Sequence, residues 1–256
     1  MILDAQELGT LKLLKMRYSM KGFCLEVSGE FACFTRPEMK VERVSYDIIT
    51  PSAARAIFDA ILWKPAISWQ VTRIEVLAPI HWTSIRRNEI GKVASTSGGG
   101  ILIEDARQQR AGLILRNVKY RITAKFKFIS PEKRGKVFNS TPEWLIDKDE
   151  ASELCKPDER NDETEAKYAA MFERRANKGQ CFNQPYLGCR EFSCLFRLVD
   201  PVAEPATAIT ESRDLGWMLY DLDFSDPKDI KPMFFRPEMK NGIINIPGPD
   251  SKEVRK

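Results

Sequence analysis

The segment 117–128, NVKYRITAKFKF, constrains the fold more than any other part of the chain. Its apolar side chains occur at every second position, from Val118 to Phe128. Strict alternation over this length is typical of a β-strand with one face on a hydrophobic core. The opposite face carries four cations and no carboxylate: Lys119, Arg121, Lys125 and Lys127.

Positive charge of one sign on a sheet face needs an explanation, because like charges on neighbouring positions repel each other. The phosphates of a nucleic acid would supply the missing negative charge. We therefore predict that a phosphate backbone crosses this face and that Lys119, Arg121 and Lys127 contact it. The alternative is a charged face that contacts only solvent.

Charge is segregated along the chain around this strand. Between Arg107 and Lys136 there are ten basic residues and one acidic residue. Between Glu143 and Glu165 there are ten acidic residues and three basic ones, and the net charge of the whole chain is only +4. This segregation predicts a polyanionic partner for the basic stretch, and a solvated charged surface is again the alternative.

Several further elements are predicted around the basic strand. Thr50 is a suitable N-cap and Pro51 a suitable first residue for a helix over 51–63. A strand is expected on each side of this helix, at 22–34 and 66–78, and a second helix at 161–178. Three antiparallel strands follow, with a tight turn at Asn241-Gly242. This order predicts an α+β fold, namely a ferredoxin-like or RNA-recognition-type domain with a helical insertion and a small C-terminal antiparallel β-sheet domain.

We divide the 256 residues into four parts. Residues 1–20 are expected to be a loosely ordered N-terminal extension. Residues 21–140 are expected to form the ferredoxin-like or RNA-recognition-type domain. Residues 141–187 are assigned to a helical insertion or linker, and residues 188–256 to a small antiparallel β domain with a polar tail.

Some classes of protein are disfavoured by composition. The chain has six cysteines without a CxxC pair and one histidine, so we expect no zinc site and treat the cysteines as reduced and structurally incidental. The longest apolar runs are shorter than the roughly 18 residues of a membrane span. The first 20 residues lack the basic-then-apolar order of a signal peptide. We expect a cytoplasmic protein without a membrane partner.

Five long segments resemble the Cas-five family of CRISPR-associated proteins, in its subtype I-C (Dvulg) form. They are VSYDIITPSAARAIFDAILWKP, SIRRNEIG, DARQQRAGLILRNVKYRI, KYAAMFERRANKGQCFNQPYLGCREF and GWMLYDLDF, and the resemblance extends from about Gly22 to Pro247. It implies an endoribonuclease that needs no metal or other cofactor. Such an enzyme cleaves CRISPR precursor RNA beside the repeat hairpin and leaves a 2′,3′-cyclic phosphate.

The resemblance also implies the partners. The protein is expected to stay on the 5′ handle of the guide RNA as a subunit of the interference complex, Cascade. Its partners would be the repeat hairpin and 5′ handle of CRISPR RNA and the backbone and large subunits of Cascade, with target DNA contacted indirectly.

The catalytic set of the family is a tyrosine upstream of the TPSAAR helix, plus a lysine and a histidine on the basic strand. Tyr46 matches the tyrosine, Lys125 stands where some members have the histidine, and Thr123 stands where the lysine is found. The resemblance thus implies Tyr46 and Lys125 as the catalytic pair. The alternatives are a core aromatic for Tyr46 and a phosphate-positioning cation for Lys125. His81 lies elsewhere and is expected to be structural, so a subunit that binds RNA without cleaving it is the second interpretation.

Two pairs of arginines are further candidates for RNA contacts. Arg86 and Arg87 lie in SIRRNEIG, and Arg107 and Arg110 lie in DARQQR, both of which are predicted to be loops. Guanidinium groups suit bidentate phosphate binding, while solvated loops are the alternative. The segment NKGQCFNQPYLGCREF either contacts unpaired bases or packs between the two domains.

Overall fold

The computed structural model describes residues 22–92, 101–130, 134, 164–205, 207–226 and 229–256. The extension predicted for residues 1–20 and most of the acidic stretch from Glu143 to Glu165 lie outside the described residues. Of the described helices, none has the length and apolar character that crossing a membrane requires.

The described elements are mostly antiparallel strands with few helices. In chain order they are β1 (Phe23–Ala32), α1 (Pro51–Ile61), β2 (Ile67–Val76), β3 (His81–Ile90), α2 (Ile103–Ala106), β4 (Arg107–Phe128), α3 (Glu165–Asn177), β5 (Leu195–Val199), β6 (Arg213–Asp214), β7 (Met218–Asp223), β8 (Lys231–Phe235), β9 (Glu238–Met239) and β10 (Ile243–Asn245). A short 3₁₀ helix spans Pro37–Met39.

Six strands form one antiparallel sheet in the order β10-β2-β4-β1-β5, and β3 pairs with the N-terminal half of β4. The predicted alternation along 117–128 is confirmed. Val118, Tyr120, Ile122 and Ala124 are buried, whereas Lys119, Lys125 and Lys127 are exposed. The pairing of β2 with β4 contains a bulge between Val71 and Arg73.

The apolar face of the sheet is covered by α1 and α3. Phe58 of α1 and Phe172 of α3 stack with ring centroids 5.6 Å apart, and both contact Trp69 of β2, at 4.9 and 4.6 Å. Thr50 caps α1 as predicted, because its hydroxyl accepts a hydrogen bond from the Ala53 N–H at 3.3 Å. We call the face of the sheet opposite to α1 and α3 the open face.

Two predictions about organisation differ from the structure. The segments that contain Arg86, Arg87, Arg107 and Arg110 are strands, not loops, because β3 and β4 form a two-stranded ribbon that pairs Ile90 with Arg107. In addition, β5 and β10 come from the region assigned to a separate C-terminal domain, but both belong to the main sheet. Among the described strands, only the pairs β6–β9 and β7–β8 form small sheets of their own. The domain boundaries themselves stay predictions.

Candidate nucleic-acid interface

A row of alternating charges crosses the open face. Arg121 of β4 lies opposite Glu26 of β1 on one side and opposite Glu75 of β2 on the other. Arg197 of β5 lies opposite Glu26 from the sheet edge. Directly opposed residues in an antiparallel sheet share a face, so these four side chains form one cross-strand row.

Glu26 is the centre of this row. Its carboxylate forms ion pairs with three cations: Lys119 Nζ at 3.1 Å, Arg121 Nε at 3.2 Å and Arg197 Nη2 at 3.1 Å. Burial would raise the pKa of Glu26, but the hydrogen bonds from the three cations outweigh burial and hold this pKa below its ordinary value. Glu26 is therefore ionised at neutral pH.

Arg121 is 4% exposed, and its Nη1 also donates to the backbone carbonyl of Glu204. Arg197 in turn donates to the Glu204 carboxylate at 2.7 Å. The strand β4 itself has no carboxylate on this face, but β1 and the 200–205 turn supply Glu26 and Glu204 to its cations and to Arg197. The alternation within one strand does not reveal the charges of its neighbours.

Lys125 and Lys127 differ from the other two cations of β4. They lie opposite Gln70 and Ser68 of β2, and both side chains are exposed. Neither makes an ion pair with a residue in the part of the chain that the structure describes. Within the described ranges, this end of the open face carries positive charge that no carboxylate compensates.

The four arginines predicted to contact RNA from the β3–β4 ribbon are divided between its two faces. Arg87 and Arg110 lie directly opposite each other, and both contact the Glu89 carboxylate, at 2.9 and 3.6 Å. Arg87 Nη1 also reaches Glu191 at 2.7 Å. Arg86 and Arg107 lie on the other face, are exposed, and have no ion pair among the described residues.

Tyr46 lies in the core. Its side chain is 1% exposed, and its hydroxyl oxygen accepts a hydrogen bond from the Leu219 N–H of β7 at 3.2 Å. The Arg36 guanidinium covers the ring at 4.6 Å from its centroid. Burial raises the pKa of Tyr46, so the hydroxyl is protonated at neutral pH. The neighbouring Asp47 carboxylate accepts from Arg36 at 3.3 Å and from Arg213 at 3.4 Å.

The structure does not bring Tyr46 and Lys125 together. The Tyr46 N–H donates to the carbonyl of Phe34, just beyond the end of β1, whereas Lys125 adjoins Ala124, which pairs with Phe23 at the start of β1. Eleven residues of extended chain span about 36 Å. Lys125 also projects from the open face, opposite to the face on which the α1 core lies. The two side chains therefore cannot contact the same phosphate in this arrangement.

Residues 22–247 match the family model described as "CRISPR-associated protein (Cas_Cas5)". This chain belongs to the Cas5 family of CRISPR-associated proteins. A relative from Mannheimia succiniciproducens named "CRISPR pre-crRNA endoribonuclease Cas5d" is 44% identical over 91% of this chain and 97% of its own length. A relative of the same name from Thermus thermophilus is 34% identical over 90% of this chain and 93% of its own length.

A solved structure described as "Crystal Structure of CRISPR-associated Protein" is also similar. It has a TM-score of 0.61 and 25% sequence identity, and the alignment covers 92% of this chain and 97% of that one. This Cas5 family member thus shares both sequence and fold with its relatives over nearly its whole length.

Sequence reasoning missed the contribution of β5 to the site of this Cas5 family member. Arg197 adds a cation to the open face, but only the pairing of β5 with β1 places it there. His81, which was expected to be structural, is exposed on β3 opposite Arg116. Among the described residues, no three His, Cys, Asp or Glu side chains are grouped so that they could hold a metal ion.

Proposed function

We propose that this Cas5 family member is an endoribonuclease that cleaves CRISPR precursor RNA at the repeat hairpin without a metal ion. The observation that carries the proposal is the similarity to two proteins named CRISPR pre-crRNA endoribonuclease, at 44% and 34% identity over nine-tenths of the chain. We further propose that the protein stays on the 5′ handle as a cytoplasmic subunit of the type I-C interference complex. There it would contact the backbone and large subunits, and target DNA only indirectly.

The order of the elements supports an RNA-recognition-type domain. The series β1-α1-β2-β4-α3-β5, with the sheet order β2-β4-β1-β5, has the connectivity of a ferredoxin-like fold. RNA-recognition domains of this shape bind single-stranded RNA on the sheet. The open face, with Lys125 and Lys127 at one end, is the corresponding surface here.

Two features of the charge distribution support a path for RNA. The exposed cations without an ion pair among the described residues include Lys125 and Lys127 on the open face and Arg86 and Arg107 on the ribbon. Phosphates would gain most from these groups, because no carboxylate in the described part of the chain competes for them. By contrast, Lys119, Arg121, Arg87 and Arg110 already contact Glu26 or Glu89, so RNA would have to compete for them.

Cleavage without a metal requires little apparatus. The 2′-OH next to the cut site can attack the adjacent phosphate, provided that the protein aligns it, transfers two protons and stabilises the added charge. In this role Tyr46 is a proton donor rather than a base, because its hydroxyl stays protonated at neutral pH. Lys125 would supply positive charge. Since the two residues are far apart, their joint action at one phosphate requires a change of conformation when RNA binds.

A second candidate function is a subunit that holds the 5′ handle without cleaving RNA. The burial of Tyr46 under Arg36 and its distance from Lys125 favour this alternative, as does the lack of a histidine on β4.

One experiment separates the two functions. The purified protein is incubated with end-labelled repeat RNA in EDTA, beside a matched RNA with a single 2′-deoxy nucleotide at the cut site. The endoribonuclease should cut the first RNA at one site, leave a 2′,3′-cyclic phosphate and spare the second. Tight binding of both RNAs without cleavage would support the handle-binding subunit. Cleavage that needs Mg²⁺, or that occurs in the deoxy RNA, would exclude the proposed mechanism.

A further inference from the structure

Two cysteines that are 156 positions apart in the chain meet beside the end of β1. The Cys33 N–H donates to the carbonyl of Leu187 at 3.0 Å, and the Cys189 thiol reaches the carbonyl of Cys33 at 3.7 Å. Gly188 lies between them with φ +84°, and a Cβ at that position would overlap the Cys33 carbonyl. The glycine therefore allows the two backbones to approach closely.

The two thiols differ in their surroundings. Cys33 is 2% exposed, and its sulfur lies 3.5 Å from both the Thr35 hydroxyl and the Arg43 carbonyl. Cys189 is half-buried, and Arg43 Nη1 lies 3.8 Å from its sulfur. The neighbouring Cys33 thiol and the nearby Arg43 together lower the pKa of Cys189 to about 6. The neighbouring Cys189 side chain and burial raise the pKa of Cys33.

This arrangement contains the parts of a reactive dithiol. A thiolate is the nucleophilic form of cysteine, and a nearby cation favours it. A second thiol nearby can then resolve an oxidised sulfur by forming a disulfide. The other described cysteines lack this combination, since Cys24 and Cys194 are buried, and burial raises the pKa of each. Cys181 has Gln184 as its neighbour, at 3.9 Å.

We propose that Cys33 and Cys189 are a redox modification site that closes to a disulfide under a peroxide oxidant. The Cys189 thiolate attacks one peroxide oxygen, the O–O bond breaks, and the products are a sulfenic acid on Cys189 and hydroxide. The Cys33 sulfur then attacks the Cys189 sulfur, an S–S bond forms, and the hydroxyl leaves. The thiol protons neutralise the two hydroxide groups, so two thiols and one hydrogen peroxide give one disulfide and two waters.

The disulfide would fix the 188–191 turn to the end of β1. That turn carries Glu191, which pairs with Arg43 at 3.5 Å and with Arg87 of the β3–β4 ribbon at 2.7 Å. Oxidation would thus join covalently three segments that ion pairs already connect. The chemistry of the thiol pair does not depend on RNA cleavage.

The test uses the full-length reduced protein and hydrogen peroxide as the probe. After oxidation, free thiols are alkylated and the protein is digested without reduction. We expect a peptide pair linked through Cys33 and Cys189, with the mass of two hydrogens lost. We also expect a rise of roughly 5–10 °C in melting temperature that dithiothreitol reverses.

Matched variants keep the result interpretable. Cys189→Ser should fold, as judged by its melting curve in the reduced state. After oxidation it should show neither the linked peptide nor the rise in melting temperature. Cys181→Ser should behave like the unmodified protein in both measurements. The proposal is overturned if oxidation leaves Cys189 as an unlinked sulfinic acid, or if Cys33 links to a different cysteine. A rise in melting temperature that persists in Cys189→Ser would also overturn it.

Discussion

Arg121 lies directly opposite Glu26 on the open face, and its Nε donates to a Glu26 carboxylate oxygen at 3.2 Å. Both side chains are almost fully buried, at 4% and 9% exposure. A buried charge is tolerated only when a partner neutralises it, and removal of one partner leaves the other uncompensated. Arg121 is therefore a structural cation within a surface that otherwise suits a polyanion.

This relationship predicts different effects on stability for two cations of the same strand. Arg121→Ala should lower the free energy of unfolding by about 2–3 kcal/mol, since Glu26 keeps only Lys119 and Arg197 as partners. Lys127→Ala should change it by less than about 0.5 kcal/mol, because that side chain is exposed and unpaired among the described residues. Urea unfolding followed by circular dichroism measures both values. Equal free energies of unfolding for Arg121→Ala and Lys127→Ala would mean that the Arg121–Glu26 contact makes no net contribution to stability.

The same cluster predicts a dependence of stability on acid. The pKa of Glu26 is lower in the folded protein than in the unfolded chain, because Lys119, Arg197 and Arg121 favour its charged form. Its contribution to stability is thus complete above an ordinary glutamate pKa of about 4.3 and is lost as the pH falls through the lower, folded pKa. Glu26→Gln should lower the free energy of unfolding at pH 7. Between pH 5 and pH 3 this variant should lose less stability than the unmodified protein does.

Urea midpoints across this pH range check the prediction. Glu30→Gln is the matched control, because Glu30 is the exposed carboxylate of the same strand. A pH profile of Glu26→Gln that is parallel to that of the unmodified protein would contradict the role given to Glu26.

The strand that contains these residues was predictable from sequence, but its electrostatic partners were not. Alternation from Val118 to Phe128 depends only on residues within one segment, and burial follows it except at Arg121. The pairing of Arg121 with Glu26 depends on which strand lies beside β4, and Glu26 is 95 positions away in the chain. The periodicity of one strand carries no information on such contacts.

The same limit applies to the candidate catalytic pair and to the ribbon. Motif matching places Tyr46 and Lys125 in the site, but their separation results from the register of β1 against β4. Polar residues around Arg107 and Arg110 favour a loop locally, yet they form a strand because β3 offers a full row of hydrogen-bonding partners. In both cases a long-range pairing decides the structure.

Adjacent arginines on the ribbon should differ in their contribution to RNA binding. Arg86 is exposed without an ion pair among the described residues, whereas Arg87 is held by Glu89 and Glu191. Each lost phosphate contact lowers the dependence of log K on log[salt] by roughly 0.7–0.9. Arg86→Ala and Lys127→Ala should each show this decrease for repeat RNA, and Arg87→Ala should show little change.

Fluorescence anisotropy at several salt concentrations gives these slopes. The same slope in Arg86→Ala as in the unmodified protein would place the RNA away from the outer face of the ribbon. A decrease in Arg87→Ala as large as that in Arg86→Ala would mean that RNA displaces Glu89 and Glu191.

The pair Tyr46 and Tyr120 offers a matched test of the catalytic proposal. Both rings are buried, the Tyr46 hydroxyl accepts a hydrogen bond from the Leu219 N–H, and the backbone of Ile49 lies beside the Tyr120 hydroxyl. A change to phenylalanine at either position removes a hydroxyl from a buried polar contact and should lower the free energy of unfolding by about 1–3 kcal/mol. The expected losses of stability are therefore similar.

The two variants should differ only in chemistry. If Tyr46 donates a proton during cleavage, Tyr46→Phe should cut repeat RNA about 10²-fold more slowly while its affinity for that RNA is unchanged. Tyr120→Phe should cut at the normal rate, because that hydroxyl lies in the core and has no proposed part in the reaction. Single-turnover cleavage in EDTA, at a temperature where both variants are fully folded, gives the rates. Equal cleavage rates for the two variants would mean that Tyr46 takes no part in catalysis. Its role would then be to pack in the core beneath Arg36.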